Sequence, residues 1–208
     1  FLAFKGKNND GNKFISKAIK KGAKYIISSK NTKKNKNRII KVEDPINFLN
    51  KFAYLKRESC NASIVAITGS TGKTSLKNIL KILFERFGNT YASPKSFNNH
   101  YGVPLSLANL NLNHKFGVFE VGMSKPGEIN QLSKMIKPQL AIITNIAEAH
   151  IENFKNIKGI AKAKSEIINN IQTNGKVILN RDDKFFKYLN AKAKQRNIKV
   201  ISFGKSIK

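Results

Sequence analysis

Cysteine, tryptophan and long apolar runs are scarce or absent in this 208-residue chain. It has one cysteine, Cys60, and no tryptophan. A single cysteine excludes an internal disulfide and is consistent with a reducing cytoplasm. No apolar run approaches the roughly 20 residues of a membrane-spanning helix, and no signal peptide opens the sequence. We therefore expect a cytoplasmic protein without a membrane span.

Acidic residues are also few, at 12 against 39 lysines and arginines, which gives a formal net charge of +27. Such a charge often indicates a nucleic-acid partner. However, lysines outnumber arginines 34 to 5 and are spread along the whole chain, whereas proteins that read nucleic acids usually rely on arginine. We therefore expect a solvated, lysine-rich surface and no nucleic-acid partner, with a positive field that would also attract anionic nucleotides.

The segment SIVAITGSTGKTSLKNIL carries the strongest motif. Its apolar, β-branched run Ile64–Ile67 predicts a buried parallel strand that ends in a tight glycine turn before a helix. Backbone N–H groups of such a turn can converge on an anion at the helix N-terminus. Lys73 would then reach the β and γ phosphates of a nucleotide, and the Thr74 hydroxyl would bind Mg²⁺. The candidate nucleotide-binding residues are Gly69, Ser70, Thr71, Gly72, Lys73, Thr74 and Ser75.

The motif does not fit the general P-loop pattern completely. Ile67 stands five residues before Gly72, where that pattern has a glycine. An ordinary glycine-rich turn between a strand and a helix is therefore the alternative interpretation.

Apolar strands and amphipathic helices alternate from Ser63 onward. This pattern predicts an α/β fold with a mostly parallel sheet flanked by helices. A smaller α/β unit precedes it, and the charged segment KRES suggests a boundary between residues 1–57 and 58–208. Six strands are expected in the larger unit, at 64–68, 90–92, 116–121, 140–144, 177–180 and 199–203. Five helices are expected, at 73–87, 102–110, 127–136, 157–171 and 182–195.

Polar residues follow several of these strands, at the edge of the sheet where ligands bind in such folds. Glu120 ends a buried strand, and a nucleotide-bound Mg²⁺ would be a suitable partner for its carboxylate. Asn145 and His150 follow the strand 140–144 and reach the same edge. Asn180 ends the next strand, and the acids that follow it either cap a helix or contact the nucleotide base.

Two further groups leave alternatives open at this point. Lys162 and Lys164 point about 200° apart on one helix, so at most one of them can face the site, and the residues alone do not choose between them. Asn98 and Asn99 follow the second strand of the larger unit. Adjacent asparagines commonly make turns, and their amides could equally hold a peptide-like substrate.

The segments VAITGSTGKTS, FNNHYGVPLSL, FEVGMSKPGEI, ITNIAEAHIENF, IAKAKSEI and ILNRDD together resemble the Mur ligase superfamily. The resemblance is strongest to its members that add D-alanyl-D-alanine to UDP-N-acetylmuramoyl-tripeptide. The opening FLAFKGKNNDGNKFISKAIKKGA resembles their N-terminal UDP-binding domain, and Ile67 in place of the glycine is normal for this family. The resemblance therefore implies a partial UDP-binding domain followed by a P-loop ATP-binding domain.

The resemblance also implies roles for the candidate residues. ATP and Mg²⁺ would be the cofactors, with Thr74, Glu120 and His150 as metal ligands. Lys164 occupies the position of a lysine that several Mur ligases carry in carbamylated form, where it helps to hold a second Mg²⁺. Asn145 and Asn180 would lie along ATP, and Asn98 and Asn99 would face the peptide substrates. Lys73, His150 and Lys164 would be the catalytic residues of an acyl-phosphate mechanism, in a protein expected to be a monomer.

The chain departs from the family pattern at both ends. The usual start and the C-terminal domain that closes over ATP are absent from it, so we expect a fragment that binds nucleotide without completing catalysis. Related rivals are the ligase that adds the third peptide residue and folylpolyglutamate synthase. A rival from a different class is a basic P-loop NTPase that binds nucleic acid.

Overall fold

Strands and helices alternate throughout the computed structural model, which describes residues 1–6, 9–30, 36–148, 151–154 and 156–205. The chain divides into two compact units, Phe1–Phe52 and Ala53–Lys208. This division falls inside a helix, Pro45–Ser59. The boundary expected after residue 57 falls inside the same helix, five residues further along the chain.

The smaller unit is built on a three-stranded parallel sheet. Its strands β1 (Leu2–Ala3), β2 (Ile26–Ser28) and β3 (Ile39–Lys41) are adjacent in that order. The helix α1 (Ile15–Lys20) lies between β1 and β2 in the sequence, and its Ile15 packs in a core with Ala3 and Ile26. The helix α2 (Pro45–Ser59) begins at a proline, where a missing N–H has no consequence.

The larger unit contains a six-stranded sheet in the order β5-β6-β4-β7-β8-β9, and all of its strand pairs are parallel. The prediction of a mostly parallel sheet is therefore confirmed. The strands are β4 (Ser63–Thr68), β5 (Thr90–Ala92), β6 (Phe116–Glu120), β7 (Leu140–Ile143), β8 (Lys176–Asn180) and β9 (Lys199–Phe203).

Helices cover both faces of this sheet, as the sequence predicts. The alternation of side chains along β4 shows the two faces, since Ile64 and Ala66 pack in one core cluster while Val65 and Ile67 pack in another. The second cluster is completed by apolar residues of α3. The helices are α3 (Lys73–Glu85), α4 (Gly102–Ala108), α5 (Glu128–Ile136), α6 (Ile157–Ser165) and α7 (Phe186–Gln195).

Three of the five predicted helices differ from the structure by one or two residues, and the other two differ by four or more. The helix expected over 157–171 ends at Ser165 and continues as a 3-10 turn, Glu166–Asn170, because the Glu166 carboxylate accepts hydrogen bonds from the backbone N–H groups of Gly127 and Asn130. The helix expected from residue 182 begins at Phe186, since the Asp183 side chain holds a turn by accepting from the backbone N–H of Phe185.

The strand order places the expected ligand edge at the carboxyl ends of β4, β6 and β7. After β4 the chain runs outward to β5 and back to β6, and then crosses to β7 on the other side of β4. Ligands in open parallel sheets bind where the strand order changes direction in this way. Among the residues described, no helix combines the length and apolarity needed to cross a membrane.

Candidate active site

The loop between β4 and α3 has a conformation that requires glycine at two positions. Gly69 has φ of +148°, and a Cβ there would lie 1.8 Å from Thr144 Oγ1. Gly72 has φ of +79°, but no atom lies within 4 Å of the place that a Cβ would take, so its requirement is conformational rather than steric. α3 begins immediately after it, at Lys73. The loop therefore presents backbone N–H groups at a helix N-terminus, which is a suitable place for an anion.

The segment that follows β7 holds this loop in place. The backbone N–H of Thr71 donates to Asn145 Oδ1 at 3.0 Å, and Asn145 Nδ2 donates to Thr71 Oγ1 at 2.7 Å. The Ser70 hydroxyl donates to the Ala147 carbonyl at 2.9 Å and accepts from its N–H at 2.8 Å. Both atoms of the Asn145 amide thus contact the loop itself. Its expected contact with ATP stays a prediction.

Thr74 and Glu120, two residues predicted to share a metal, lie in direct contact. The Thr74 hydroxyl donates to Glu120 Oε2 at 2.7 Å, and Asn98 Nδ2 donates to Glu120 Oε1 at 2.7 Å. Glu120 is only 1% exposed. A carboxylate so far from water requires partners for both oxygens, and here each oxygen has one.

Two lysines converge on the carbonyl of Gly69. Lys73 Nζ donates to it at 2.9 Å and Lys164 Nζ at 3.0 Å. Burial lowers the pKa of Lys73, and the charge of Glu120 opposes that change. Burial, together with the nearby charge of Lys73, lowers the pKa of Lys164 to about 8. Lys162 is exposed, so the choice that the residues left open falls on Lys164.

Asn98 and Asn99, which follow β5, make different contacts. Asn98 is half-buried and contacts Glu120, whereas Asn99 lies at the cavity edge and its Oδ1 accepts from the backbone N–H groups of Tyr101 and Gly102. Asn99 therefore makes the kind of turn that the sequence offered as one alternative. Its expected contact with the peptide substrate stays a prediction.

The remaining predicted residues lie further from these contacts. Ser75 is exposed in the first turn of α3. Asn180 Oδ1 accepts from the backbone N–H of Asp182 at 3.0 Å, and Asp183 accepts from that of Ile146, which ties the ends of β7 and β8 together. His150 lies outside the described residues. Among those described, no group of three or more histidines, cysteines and acids could by itself hold a metal ion.

A cavity of about 530 Å³ opens over the loop and gathers residues from several segments. The α5 end of this cavity was missed by the sequence reasoning, although the motif FEVGMSKPGEI contains it. There Glu128 accepts from the backbone N–H groups of Ser124 and Lys125 and shapes the wall. The lining residues are Gly69, Ser70, Lys73, Asn98, Asn99, His100, Gly122, Met123, Ser124, Lys125, Glu128 and Lys164.

These features define a class of protein. A parallel α/β sheet whose central strand ends in GSTGKT, with an acid from the adjacent strand on the threonine, is the architecture of a P-loop nucleotide-binding domain.

Comparison with known proteins makes the assignment more specific. The family model of the Mur ligase middle domain matches residues 67–208, and the chain therefore belongs to the Mur ligases. The UDP-N-acetylmuramoyl-tripeptide--D-alanyl-D-alanine ligase of Rickettsia prowazekii is 40% identical over 210 residues, which cover all of this chain and 46% of that enzyme. The chain thus spans about half the length of the curated relatives it matches.

Solved structures agree with this assignment. MurF from Acinetobacter baumannii superposes with a TM-score of 0.86 at 32% identity, covering 98% of this chain and 45% of that one. MurF ligase from Thermotoga maritima, solved in complex with ADP, superposes with a TM-score of 0.82 at 34% identity. The match covers 100% of this chain and 47% of that one. The sequence resemblance to the Mur ligase superfamily is therefore confirmed.

Proposed function

We propose that this chain supplies the ATP site and part of the UDP-substrate site of a ligase in peptidoglycan precursor synthesis. The reaction joins D-alanyl-D-alanine to UDP-N-acetylmuramoyl-tripeptide at the expense of ATP. Residues 1–57 would belong to the UDP-binding domain and 58–208 to the ATP-binding domain, in a cytoplasmic monomer. The names of the relatives support this reaction over addition of the third peptide residue or of glutamate to folate.

One observation carries the proposal. Lys73, Thr74, Glu120 and Lys164 come from β6, α6 and the start of α3, yet all four surround the loop that follows β4. In the proposed reaction the tripeptide carboxylate attacks the γ-phosphate of ATP and gives an acyl phosphate and ADP. The amine of D-alanyl-D-alanine then attacks the acyl carbon and releases phosphate.

The residues have complementary tasks in these steps. Lys73 would leave the Gly69 carbonyl and neutralise phosphate charge, while the loop N–H groups orient the phosphates. ATP is needed because a carboxylate is a poor electrophile until it is phosphorylated. Catalysis of the phosphoryl transfer itself depends mostly on positioning and charge neutralisation. Asn145 and Asn180 would border ATP, and Asn98 and Asn99 would border the peptide substrates.

The donor set at Thr74 and Glu120 fits Mg²⁺. Their contacting oxygens are 2.7 Å apart. Hydroxyl and carboxylate oxygens are ligands that Mg²⁺ prefers, so Thr74 and Glu120 would hold the ion. His150 would be a further ligand. When bound, Mg²⁺ would neutralise charge that develops on the transferred phosphoryl group.

Lys164 has the properties that carbamylation requires. The reaction needs a neutral amine, and a pKa of about 8 makes that form accessible near neutral pH. Its amine lies 3.0 Å from the Gly69 carbonyl, inside the cavity rather than at the surface. A carbamate there would carry negative charge toward the phosphate site, where it could hold a second Mg²⁺.

The proposal is tested by replacing Lys73 with alanine in the protein of full natural length. Lys73→Ala should abolish ADP release that depends on both UDP-N-acetylmuramoyl-tripeptide and D-alanyl-D-alanine, measured by a coupled assay. Lys81→Ala is the matched control, since Lys81 lies on the same helix and pairs with Glu85 at the surface. Normal turnover by the Lys73 variant would refute the proposed site.

A second function, binding of nucleic acid, is suggested only by the net charge of +27. Such binding would weaken steeply as salt concentration rises. Filter binding of DNA and RNA at several salt concentrations distinguishes the two functions, because the ligase should show no retained, salt-sensitive complex.

A further inference from the structure

Lys77 is a buried lysine that the proposed reaction does not use. It lies on α3 one turn beyond Lys73, and only 2% of it is exposed. Its ammonium group donates to the backbone carbonyl of Lys95. Burying an ammonium group is unfavourable unless the group is paired. A buried lysine therefore requires an explanation, whereas an exposed lysine does not.

The segment that Lys77 contacts also holds Glu120. At its start, the Ser93 hydroxyl accepts from the backbone N–H of Glu120 at 3.2 Å. At its end, Asn98 Nδ2 donates to Glu120 Oε1 at 2.7 Å. Lys95, between them, has a left-handed backbone with φ of +47°, which non-glycine residues rarely adopt. The two ends of residues 93–98 thus bond Glu120, and the middle bonds Lys77.

A second contact fixes the end of this segment. The backbone N–H of Gly122 donates to the Asn98 carbonyl at 2.8 Å, and a Cβ at Gly122 would lie 2.8 Å from the Asn98 amide carbon. Asn98 therefore has little freedom to move away from the carboxylate. Burial lowers the pKa of Lys77, and the charge of Glu120 opposes that change.

We propose that Lys77 is a positioning residue for the metal-binding carboxylate. It fixes residues 93–98 against α3, and that segment in turn fixes the backbone and one oxygen of Glu120, so that the other oxygen faces Thr74. The inference deepens the proposed function and rests on it, since it takes Glu120 as a ligand of Mg²⁺. Lys77 acts through Glu120 and does not contact the nucleotide.

The test separates metal binding from nucleotide binding. Affinity for the non-hydrolysable ATP analogue AMP-PNP is measured by calorimetry, with excess Mg²⁺ and with EDTA, in the protein of full natural length. Loss of an outer-shell partner typically weakens metal binding by about 10- to 100-fold. Lys77→Met, which keeps the length but cannot donate, should therefore reduce the Mg²⁺-dependent gain in affinity at least about tenfold, with metal-free affinity within about twofold of wild type.

Lys81→Met is the matched control and should keep the full gain, because Lys81 is exposed on the same helix. The inference would be overturned if Mg²⁺ increased the AMP-PNP affinity of the Lys77→Met protein as much as it does for wild type. It would also be overturned if the AMP-PNP affinities with Mg²⁺ and with EDTA fell equally, since that result indicates a merely structural role. Should Lys77→Met not fold, Lys77→Leu, which likewise cannot donate, is judged by the same two criteria. If wild-type protein gains nothing from Mg²⁺, the proposed function itself fails.

Discussion

Gly69 lies where two elements approach too closely for any side chain. The Cβ of an alanine would lie 1.8 Å from Thr144 Oγ1 and 3.0 Å from Thr144 Cβ, in addition to the strain of φ at +148°. Its carbonyl is also the shared acceptor of Lys73 and Lys164. A change at this one position would therefore disturb β4, β7 and both lysines together.

Gly69→Ala is expected to destabilise the protein by more than about 2 kcal/mol, since it combines a clash with backbone strain. Gly72→Ala is the matched control, because its positive φ is strained but the space around it is open, which should cost about 1–2 kcal/mol. Urea denaturation followed by circular dichroism measures both. Equal losses for the two variants would contradict the steric argument.

The lowered pKa of Lys164 makes a pH dependence of stability predictable. Between its folded pKa of about 8 and its ordinary value of 10.5, the unfolded chain binds more protons than the folded one, so this residue makes stability rise with pH. Below pH 8 the charged amine opposes folding in full. The penalty is on the order of 3 kcal/mol, and it is relieved as pH rises from 8 to 10.5.

Lys164→Met removes that penalty, so its stability relative to wild type should be highest at about pH 7 and fall as pH rises toward about 10. Thermal and urea unfolding at a series of pH values measure the difference. Lys162→Met, two residues away and exposed, should show a flat profile. A flat profile for Lys164→Met as well would mean that the amine is not held in a desolvated site.

At the scale of elements, Arg57 connects α2 to the end of α5. It is 5% exposed, and its guanidinium donates to the carbonyls of Ile136 at 2.7 Å, Lys137 at 2.9 Å and Cys60 at 3.2 Å. The last turn of a helix leaves carbonyls without partners, and a cation there is favourable. One side chain thus completes the C-terminus of α5 and joins it to the segment before β4.

Replacing Arg57 with methionine should destabilise the protein by about 2–4 kcal/mol, because several buried carbonyls lose a charged donor at once. The midpoint of urea unfolding is the measurement. Arg86→Met at the exposed end of α3 is the control and should shift the midpoint little. An equally small shift of the unfolding midpoint for the Arg57 variant would show that water can replace the guanidinium at these carbonyls without loss of stability.

Strand positions were predicted more closely than helix ends. β5 and β9 have the predicted bounds, and the other four strands of this sheet each differ by one residue. Short apolar or β-branched runs between turns identify such strands, whether they are buried, as β4 is, or mostly exposed, as β9 is. The end of α6 could not be predicted in the same way, because Glu166 accepts from backbone N–H groups of Gly127 and Asn130, which are distant in the sequence. The start of α7 depends on a local turn, in which Asp183 accepts from the backbone N–H of Phe185, and the amphipathic pattern does not distinguish that turn from the first turn of a helix.

The candidate site also contains some residues that the sequence predicts and others that it does not. Lys73, Thr74 and Glu120 were predictable, since a motif or a strand end marks each of them. Lys77 was not, because nothing in the local sequence distinguishes a buried lysine from the many exposed ones among the 34 lysines. The choice of Lys164 over Lys162 needed either the family resemblance or the fold, since both residues satisfy the same local pattern.

For the whole molecule, the net charge of +27 should increase the association rate constant of an anionic nucleotide. Raising ionic strength from about 0.1 M to about 1 M shortens the screening length from about 10 Å to about 3 Å. The association rate constant of a fluorescent ATP analogue should then fall several-fold in stopped-flow measurements. The corresponding uncharged adenosine probe should change little, and equal behaviour of the two probes would exclude electrostatic attraction.

The position of β4 in its sheet has a consequence for how the protein is made on the ribosome. β4 emerges first among the strands of its sheet, yet its two neighbours, β6 and β7, are synthesised only later, and Asn145 comes later still. Until then both edges of β4 lack their partners, and the phosphate loop lacks the residues that hold it. A nascent chain released or stalled before that point would expose an apolar strand, so it should aggregate more readily than a chain that extends past β7 and Asn145.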